Sequence, residues 1–315
     1  MSARAALSAL ILSTLVSIGL SCPVHAGPWL PAPGEYYTEL RGGLFSADSY
    51  HNLDGDRVSF PGKWEQRSVL SYTEMGWKKK ISFVLAAPLV SSTVRVDDAV
   101  LTRTALGDLL VGFRYRLRQG PSALALEFDW STPLGYSRQT PLIGDGLQQL
   151  SLSALYGTAL GKRGFLQAGA GYGYRFFSIT RKKHDFKDAA GVSLDPQPLT
   201  ESADRWGMPF TASADLGFWV TRTLLVGGRY SGTMTTSHGD LYPWEGGDWL
   251  PHADIHLAGP VLVYRVDDRL DLVAGSWSTA MAKNWVHFDQ AYVALVFKQT
   301  KLNRLQGFLG SAKNP

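Results

Sequence analysis

The sequence has little cysteine, little charge and no long apolar run beyond its first residues. Cys22 is the only cysteine among 315 residues. Charged residues make up 18% of the chain, whereas about 25% is usual in soluble proteins. No internal stretch reaches the roughly 20 apolar residues that a transmembrane helix needs. The lack of such a run excludes transmembrane helices from the body of the chain.

Residues 1–26 have the pattern of a secretory signal peptide. Arg4 precedes a largely apolar run over residues 5–20, and Val24-His-Ala26 places small or aliphatic residues where signal peptidase reads. We predict cleavage after Ala26. The mature chain would then begin at Gly27.

Cys22 lies inside this segment, where lipid attachment is the alternative interpretation. The preceding Gly19-Leu-Ser lacks the aliphatic residue expected three positions before such a cysteine. Without Cys22 the mature chain has no thiol, which excludes disulfides, thiolate metal sites and cysteine nucleophiles. The net charge of +4 is modest and its basic residues are scattered, so nucleic acid is not expected as a partner.

One stretch shows the pattern that recurs along the chain. Apolar and polar positions alternate over residues 108–117, and the alternation resumes over 123–131 after a break at 118–121. Successive side chains of a strand point to opposite faces, so this stretch is predicted to be a β-hairpin with one apolar and one charged face. In a soluble sandwich the apolar face would pack on a second sheet. In a membrane barrel it would face lipid, and the charged face would line the interior.

About twelve such strands are predicted, and their connections alternate in length. The strands are 35–45, 65–77, 80–90, 107–117, 123–131, 148–160, 165–179, 208–220, 224–235, 255–266, 270–278 and 286–297. Short connections lie at 78–79, 118–121, 161–164, 221–223 and 267–269, and long polar ones at 46–64, 91–106, 132–147, 180–207 and 236–254. This alternation is typical of outer-membrane barrels. We predict an all-β, membrane-spanning antiparallel β-barrel over residues 27–297 in a bacterial outer membrane, with short periplasmic turns and long extracellular loops.

Aromatic residues near the strand ends agree with a barrel, because such residues form girdles at membrane interfaces. They are Trp64, Trp77, Trp130, Tyr172, Tyr174, Phe176, Phe218 and Trp285. Residues 27–34 are rich in proline and are expected to be too short to form a plug. The periplasmic tail, 298–315, is predicted to form a short helix, because Leu302, Leu305, Phe308 and Leu309 recur at helical spacing.

The polar faces of the strands are predicted to line the lumen. Their candidate channel-lining residues are Glu39, Arg41, Asp108, Arg114, Arg116, Glu127, Asp129, Gln167, Arg175, Asp215, Arg229, Arg265 and Asp271. A three-residue turn at 221–223 sets Asp215 opposite Arg229, and the same count about 267–269 sets Arg265 opposite Asp271.

The hairpin over residues 108–131 is expected to hold a further pair. Counting back from its turn sets Gly112 opposite Glu127, which leaves room for Arg114 to reach Glu127 diagonally. Arg116 and Arg175 are expected to stay unpaired and to favour anionic or carboxylate-bearing solutes.

Two other motifs have simple structural interpretations. Asn52-Leu-Asp-Gly-Asp56 could bind calcium, but it lacks the other ligands of an EF-hand, so a plain turn is predicted. Gly169, Gly171 and Gly173 share one strand face and lack the spacing of a nucleotide-binding loop. Such a row of glycines would let another element, or a solute, approach the wall.

Three histidines lie beside serine or aspartate residues that could act with them in catalysis. His238 follows Ser237, and Asp254/His256 and His287/Asp289 are spaced two apart, as in part of an omptin protease site. Neither the second aspartate pair of such a protease nor the serine–asparagine set of an outer-membrane phospholipase is present. An enzyme is therefore not predicted.

Residues 105–117, Ala-Leu-Gly-Asp-Leu-Leu-Val-Gly-Phe-Arg-Tyr-Arg-Leu, resemble a family motif. It is the G-x-G-D-hydrophobic-x-x-G-x-x-Y-R-hydrophobic strand of the MetA-pathway-of-phenol-degradation barrels, which are broadly related to the long-chain fatty acid transporters. Ala105 stands where the family usually has glycine, and the N-terminal hatch of the fatty acid transporters has no evident counterpart. The resemblance implies passage of small, often hydrophobic or aromatic, compounds.

The leading prediction is an outer-membrane channel or transporter that needs no cofactor or metal. Its partners would be the lipid bilayer and a small-molecule solute. The alternative is a structural or adhesive barrel whose lumen is closed by salt bridges. A second alternative is an outer-membrane lipid hydrolase or protease.

Overall fold

The computed structural model is a closed antiparallel β-barrel. It describes residues 27–52, 54–96, 99–134, 136, 143–144, 147–178, 208–235, 254–283 and 285–299. The predicted signal peptide, the predicted tail helix, and most of the connections at 180–207 and 236–254 lie outside these residues. Within the described part of the chain, no helix has the length and hydropathy needed to cross a membrane.

The wall is built from β1 (Tyr36–His51), β2 (Arg57–Lys78), β3 (Ile81–Val96), β4 (Ala99–Leu106), β5 (Asp108–Arg118), β6 (Ser122–Pro133), β7 (Leu147–Leu160), β8 (Gly164–Ser178), β9 (Pro209–Trp219), β10 (Leu224–Thr235), β11 (Asp254–Arg265), β12 (Leu270–Lys283) and β13 (Trp285–Gln299). β13 pairs with β1 and closes the barrel. β4 and β5 are two parts of one wall strand, since both pair with β3, at its residues 89–96 and 81–86. The wall therefore has the predicted twelve strands.

The interruption between β4 and β5 falls at Gly107. Its N–H donates to the Pro88 carbonyl of β3 at 2.8 Å. A Cβ at residue 107 would lie 2.8 Å from Pro88 Cγ, so the close approach requires glycine. Pro88 accepts this bond but has no N–H to donate to the ladder in return, which explains the break at this point.

The outward face of the barrel is apolar, as the alternation predicted. In β5, Val111, Phe113 and Tyr115 are exposed, whereas Arg114 between them is buried. The same holds along β6, where Phe128 is exposed and its neighbours face the interior. Exposed apolar rows around a closed barrel are stable against hydrocarbon, so this surface spans the membrane.

The extracellular ends of the first strands are longer than predicted. Only residues 52–56 connect β1 to β2, in place of a loop over 46–64, and β3 and β4 fill most of the expected loop at 91–106. These segments are polar because they extend beyond the lipid. Their backbones still pair with neighbouring strands, although β4 pairs with β3 alone, so polarity marks the membrane edge and not the end of the strand.

The prediction of a turn at residues 52–56 is confirmed. The Asn52 side-chain oxygen accepts hydrogen bonds from the N–H groups of Asp54 and Asp56, at 3.0 and 2.8 Å. Gly55 has a φ of 88°, a left-handed conformation that favours glycine. The Asn52 side chain and Gly55 therefore account for the turn.

Candidate channel lumen

Arg114 is the centre of a buried ion network on the inward face of β2, β3, β5 and β6. Its Nη1 lies 2.6 Å from Glu74 Oε2, and its Nε lies 2.8 Å from Glu127 Oε2. Ser82 Oγ donates to Glu74 Oε1 at 2.6 Å. The four side chains are at most 2% exposed, so they fill this side of the lumen. Glu74 and Ser82 were not predicted, because a tight turn joins the strand of Arg114 only to β6 and sets no register with β2 or β3.

The register of this hairpin differs from the predicted one. Arg114 lies directly opposite Glu127, and Gly112 lies opposite Asp129. A β-bulge after Arg116 shifts the pairing, and a count from the turn alone could not foresee it. A Cβ at residue 112 would lie 2.0 Å from Asp129 Oδ1, so glycine is needed for the carboxylate to lie against the wall.

A second polar group joins β1, β13 and β10 across the lumen. Glu39 Oε1 lies 2.7 Å from Arg41 Nε, and its Oε2 accepts a hydrogen bond from the Tyr37 hydroxyl at 3.0 Å. The Arg41 guanidinium stacks over the Tyr292 ring, 4.9 Å from its centroid. Arg229 Nη1 donates to the Tyr292 hydroxyl at 3.1 Å. Glu39 and Arg41 therefore face inward, as predicted.

Both pairs predicted from tight turns form in the structure. Arg229 lies opposite Asp215, with Nε and Oδ1 3.6 Å apart. Arg265 lies opposite Asp271 at 3.5 Å, and Lys298 contacts the other oxygen of Asp271. The turns fixed these registers because no bulge interrupts the strands between turn and pair.

The two arginines that were expected to stay unpaired have partners, so that expectation was wrong. Arg116 donates through Nη2 to the Leu30 carbonyl at 2.6 Å and through Nη1 to the Lys79 carbonyl at 2.9 Å. Arg175 Nε donates to Gln149 Oε1 at 3.1 Å. These acceptors are carbonyl and amide oxygens, so pairing acidic with basic residues across strands could not predict them.

Residues 27–34, which were expected to be too short to form a plug, lie inside the barrel. Leu30 is buried against Ala125 of β6 and Leu155 of β7. Trp29 covers Gly157, where a Cβ would lie 2.6 Å from the indole. The segment thus packs against the inward face of the wall.

Both ends of this N-terminal segment are also anchored. At Gly27, a Cβ would lie 2.1 Å from Gln167 Oε1 of β8. Near the other end, Gly34 N–H donates to the Gly76 carbonyl at 2.9 Å, and a Cβ at Gly76 would lie 2.1 Å from the Ala32 carbonyl. Eight extended residues span up to about 26 Å. Such a length can narrow a lumen without forming a plug domain.

A second chain segment, from the connection after β6, also enters the lumen. Tyr136 and Ile143 are buried against Val90 of β3. The Tyr136 hydroxyl donates to Asp108, and a Cβ at Gly144 would lie 2.6 Å from the same carboxylate. Asp108 therefore holds this connection in place.

The rest of the inward face includes a large apolar sector that was not predicted from the sequence. Its core comprises Phe45, Ala47, Trp64, Val94, Ile255, Leu257, Val261, Val273, Trp277, Val286, Phe288, Tyr292, Ala294 and Val296. The Phe45 ring lies 5.0 Å from that of Trp64 and 4.8 Å from that of Phe288. The sequence of β13 contains one indication of this sector, because the apolar Val286 and Phe288 alternate with the polar His287 and Asp289.

Trp64 was predicted to lie in an interfacial girdle, and this was wrong. The indole is 9% exposed, faces the lumen and donates through Nε1 to Ser92 Oγ at 2.8 Å. Trp77, Trp130, Tyr172, Tyr174 and Phe218 are exposed, as a girdle requires. Trp64 differs because β2 extends past the lipid, where its alternation still directs it inward.

The glycines of β8 leave room for hydroxyl side chains of the neighbouring strands. A Cβ at Gly169 would lie 2.8 Å from Ser213 Oγ, and one at Gly171 would lie 2.2 Å from Ser153 Oγ. This row of small residues faces the lumen.

The described histidines do not form an omptin-like protease site. His256 contacts the Tyr230 hydroxyl through Nδ1 at 2.6 Å, and His287 Nδ1 contacts His51 Nε2 at 3.1 Å. His238 lies outside the described residues. Across the residues that the structure describes, no three His, Cys, Asp or Glu side chains are grouped to hold a metal ion.

An apolar exterior around a closed barrel with polar and apolar groups inside defines an outer-membrane β-barrel. Solved structures share this fold. The COG4313 outer membrane channel from Pseudomonas putida F1 is 13% identical, with a TM-score of 0.64, and the match covers 89% of this chain and 100% of that one. No family model and no curated protein matches the chain.

Two weaker structural matches come from proteins of different kinds. The translocator domain of the autotransporter NalP from Neisseria meningitidis is 11% identical, with a TM-score of 0.48, covering 93% of this chain and 94% of that one. The TodX deltaS2S3 mutant monoaromatic hydrocarbon channel is 9% identical, with a TM-score of 0.43, covering 91% and 96%. At these TM-scores neither match carries an inference about this chain.

Proposed function

We propose that the chain is an outer-membrane channel for small hydrophobic or aromatic solutes. The observation that carries this proposal is the apolar sector inside the lumen, with Phe45, Trp64, Trp277 and Phe288 buried from lipid and water. A pore for hydrated solutes has a polar lumen throughout. An apolar inner wall instead offers a solute without hydrogen-bonding groups a favourable surface. The resemblance of residues 105–117 to the MetA-pathway barrels supports the same solute class.

The periplasmic side of this route is narrowed by residues 27–34. Trp29 and Leu30 pack on the wall, and Arg116 holds the Leu30 carbonyl. Passage therefore requires the segment to move within the lumen.

Transport assays on outer-membrane vesicles containing the protein test the proposal. Entry of a monoaromatic hydrocarbon is compared with entry of a hexose of similar size. The Phe288→Ala variant should slow the hydrocarbon, because it removes apolar surface from the inner wall. Phe113→Ala, on the lipid face, is the matched control and should have no effect. Faster entry of the hexose than of the hydrocarbon would contradict the proposed solute class.

The second candidate is the structural or adhesive barrel. It is favoured by the complete burial of Arg114, Glu74 and Glu127, which closes one side of the lumen with ion pairs. A barrel of this kind would conduct neither solute nor ions, even with residues 27–34 displaced. Conductance of a variant that displaces the segment therefore separates the two candidates.

A further inference from the structure

Exposed cations occupy every tight turn at the periplasmic end of the barrel. The five turns connect β2 to β3, β5 to β6, β7 to β8, β9 to β10, and β11 to β12. Each has at least one exposed lysine or arginine in the turn or at its edge. We define the basic ring as these eight side chains: Lys78, Lys79, Lys80, Arg118, Lys162, Arg163, Arg222 and Arg269.

The basic ring is poorly balanced by acidic groups. The same turns contain two carboxylates, Asp267 and Asp268, so eight cations against two anions leave a net charge of +6. Asp267 is engaged in its own turn, where Oδ1 accepts the Arg269 N–H at 2.7 Å. Within the described ranges, no salt bridge joins a ring cation to a carboxylate, whereas at the extracellular end Arg57 pairs with Asp48.

Exposed aromatic side chains place the basic ring at a defined depth. Trp77 is 51% exposed on the outer surface, and the ammonium of Lys78 lies 4.4 Å from its ring centroid. Phe218 and Tyr264 are exposed close to two other turns. Such aromatics mark the boundary between hydrocarbon and headgroups. A strand rises about 3.3 Å per residue, so side chains a few residues further lie at the level of the lipid phosphates.

We propose that the basic ring binds the anionic headgroups of phospholipids in the periplasmic leaflet. Lysine and arginine at a bilayer surface attract anionic lipid over about a Debye length. The cations are distributed around the whole rim, which matches a surrounding leaflet better than a protein docked on one side. The barrel would thereby keep a shell of anionic lipid around its periplasmic mouth.

Quenching of tryptophan fluorescence by brominated lipids tests this proposal, because Trp77 lies beside the ring. The protein is reconstituted in phosphatidylcholine vesicles that contain either brominated phosphatidylglycerol or brominated phosphatidylcholine. The test variant is Lys79→Gln/Lys80→Gln, next to Trp77. The matched control is Lys63→Gln/Arg95→Gln, two exposed cations at the extracellular end. Heat-modifiable migration on a gel checks that each variant is folded.

The unaltered protein should prefer phosphatidylglycerol about threefold over phosphatidylcholine. About 0.5 M NaCl should abolish this preference by screening. The test variant should about halve it and the control should retain it. The salt measurement needs no variant, so the proposal stays testable if a variant misfolds. Equal quenching in the unaltered protein, or a preference that survives salt, would overturn the proposal. Loss of the preference on adding inorganic phosphate would assign the ring to free phosphate instead.

Discussion

Replacement of Arg114 by methionine tests how much the buried ion network contributes to the stability of the barrel. Methionine has a similar length but no charge, so Glu74 and Glu127 would lose their common cation. Both carboxylates are at most 2% exposed, and water cannot take the place of the guanidinium. Removal of one partner from a buried ion pair costs about 3–5 kcal/mol. We expect a decrease of this size in the free energy of unfolding.

The measurement is reversible unfolding in lipid vesicles, followed by tryptophan fluorescence over a urea series. Arg57→Met is the matched control, because Arg57 forms an exposed ion pair with Asp48, at 52% and 70% exposure. Exposed pairs contribute about 0–1 kcal/mol, so the control should unfold nearly as the unaltered protein does. The comparison separates the buried network from a general effect of losing an arginine.

A compensating variant makes the reasoning falsifiable. Changing Glu74 and Glu127 to glutamine in the Arg114→Met background removes the unpaired charges and should restore much of the lost stability. A loss below about 1 kcal/mol for Arg114→Met alone would refute the claim that the network is buried and water-free. Equal instability of the single and triple variants would show that packing, and not charge, was lost.

Two further predictions concern the passage itself. Gly76→Val should raise single-channel conductance, because its side chain would clash with the Ala32 carbonyl and displace residues 27–34. Gly228→Val, where nothing lies within 4 Å of a Cβ, should leave conductance unchanged, and equal effects of both would contradict the assignment of the segment to the lumen. Arg229→Ala with Arg265→Ala should shift ion selectivity toward cations, because it removes two inward positive charges and leaves their aspartates. Unchanged reversal potentials would indicate that these pairs only brace the wall.

The sequence by itself determined the architecture and two of the polar contacts. Alternation of period two assigns faces without knowledge of the partner strand, and tight turns fix which residues stand opposite. Asp215 and Arg229, or Arg265 and Asp271, could therefore be paired by counting. The same count failed at Arg114, because the bulge between Arg116 and Arg118 depends on packing of the hairpin.

Only the tertiary structure decided what fills the lumen. Alternation divides residues into two faces, but beyond the lipid the apolar face of a strand can be the inner one. The alternation around Phe288 was therefore present in the sequence, but it did not show that Trp64 and Phe288 face inward. The position of residues 27–34 has no periodic signal at all. It follows from contacts with strands far along the chain, such as the bond from Arg116 to the Leu30 carbonyl, 86 residues away. Closure of the barrel brings these distant groups together, and local sequence patterns do not encode that proximity.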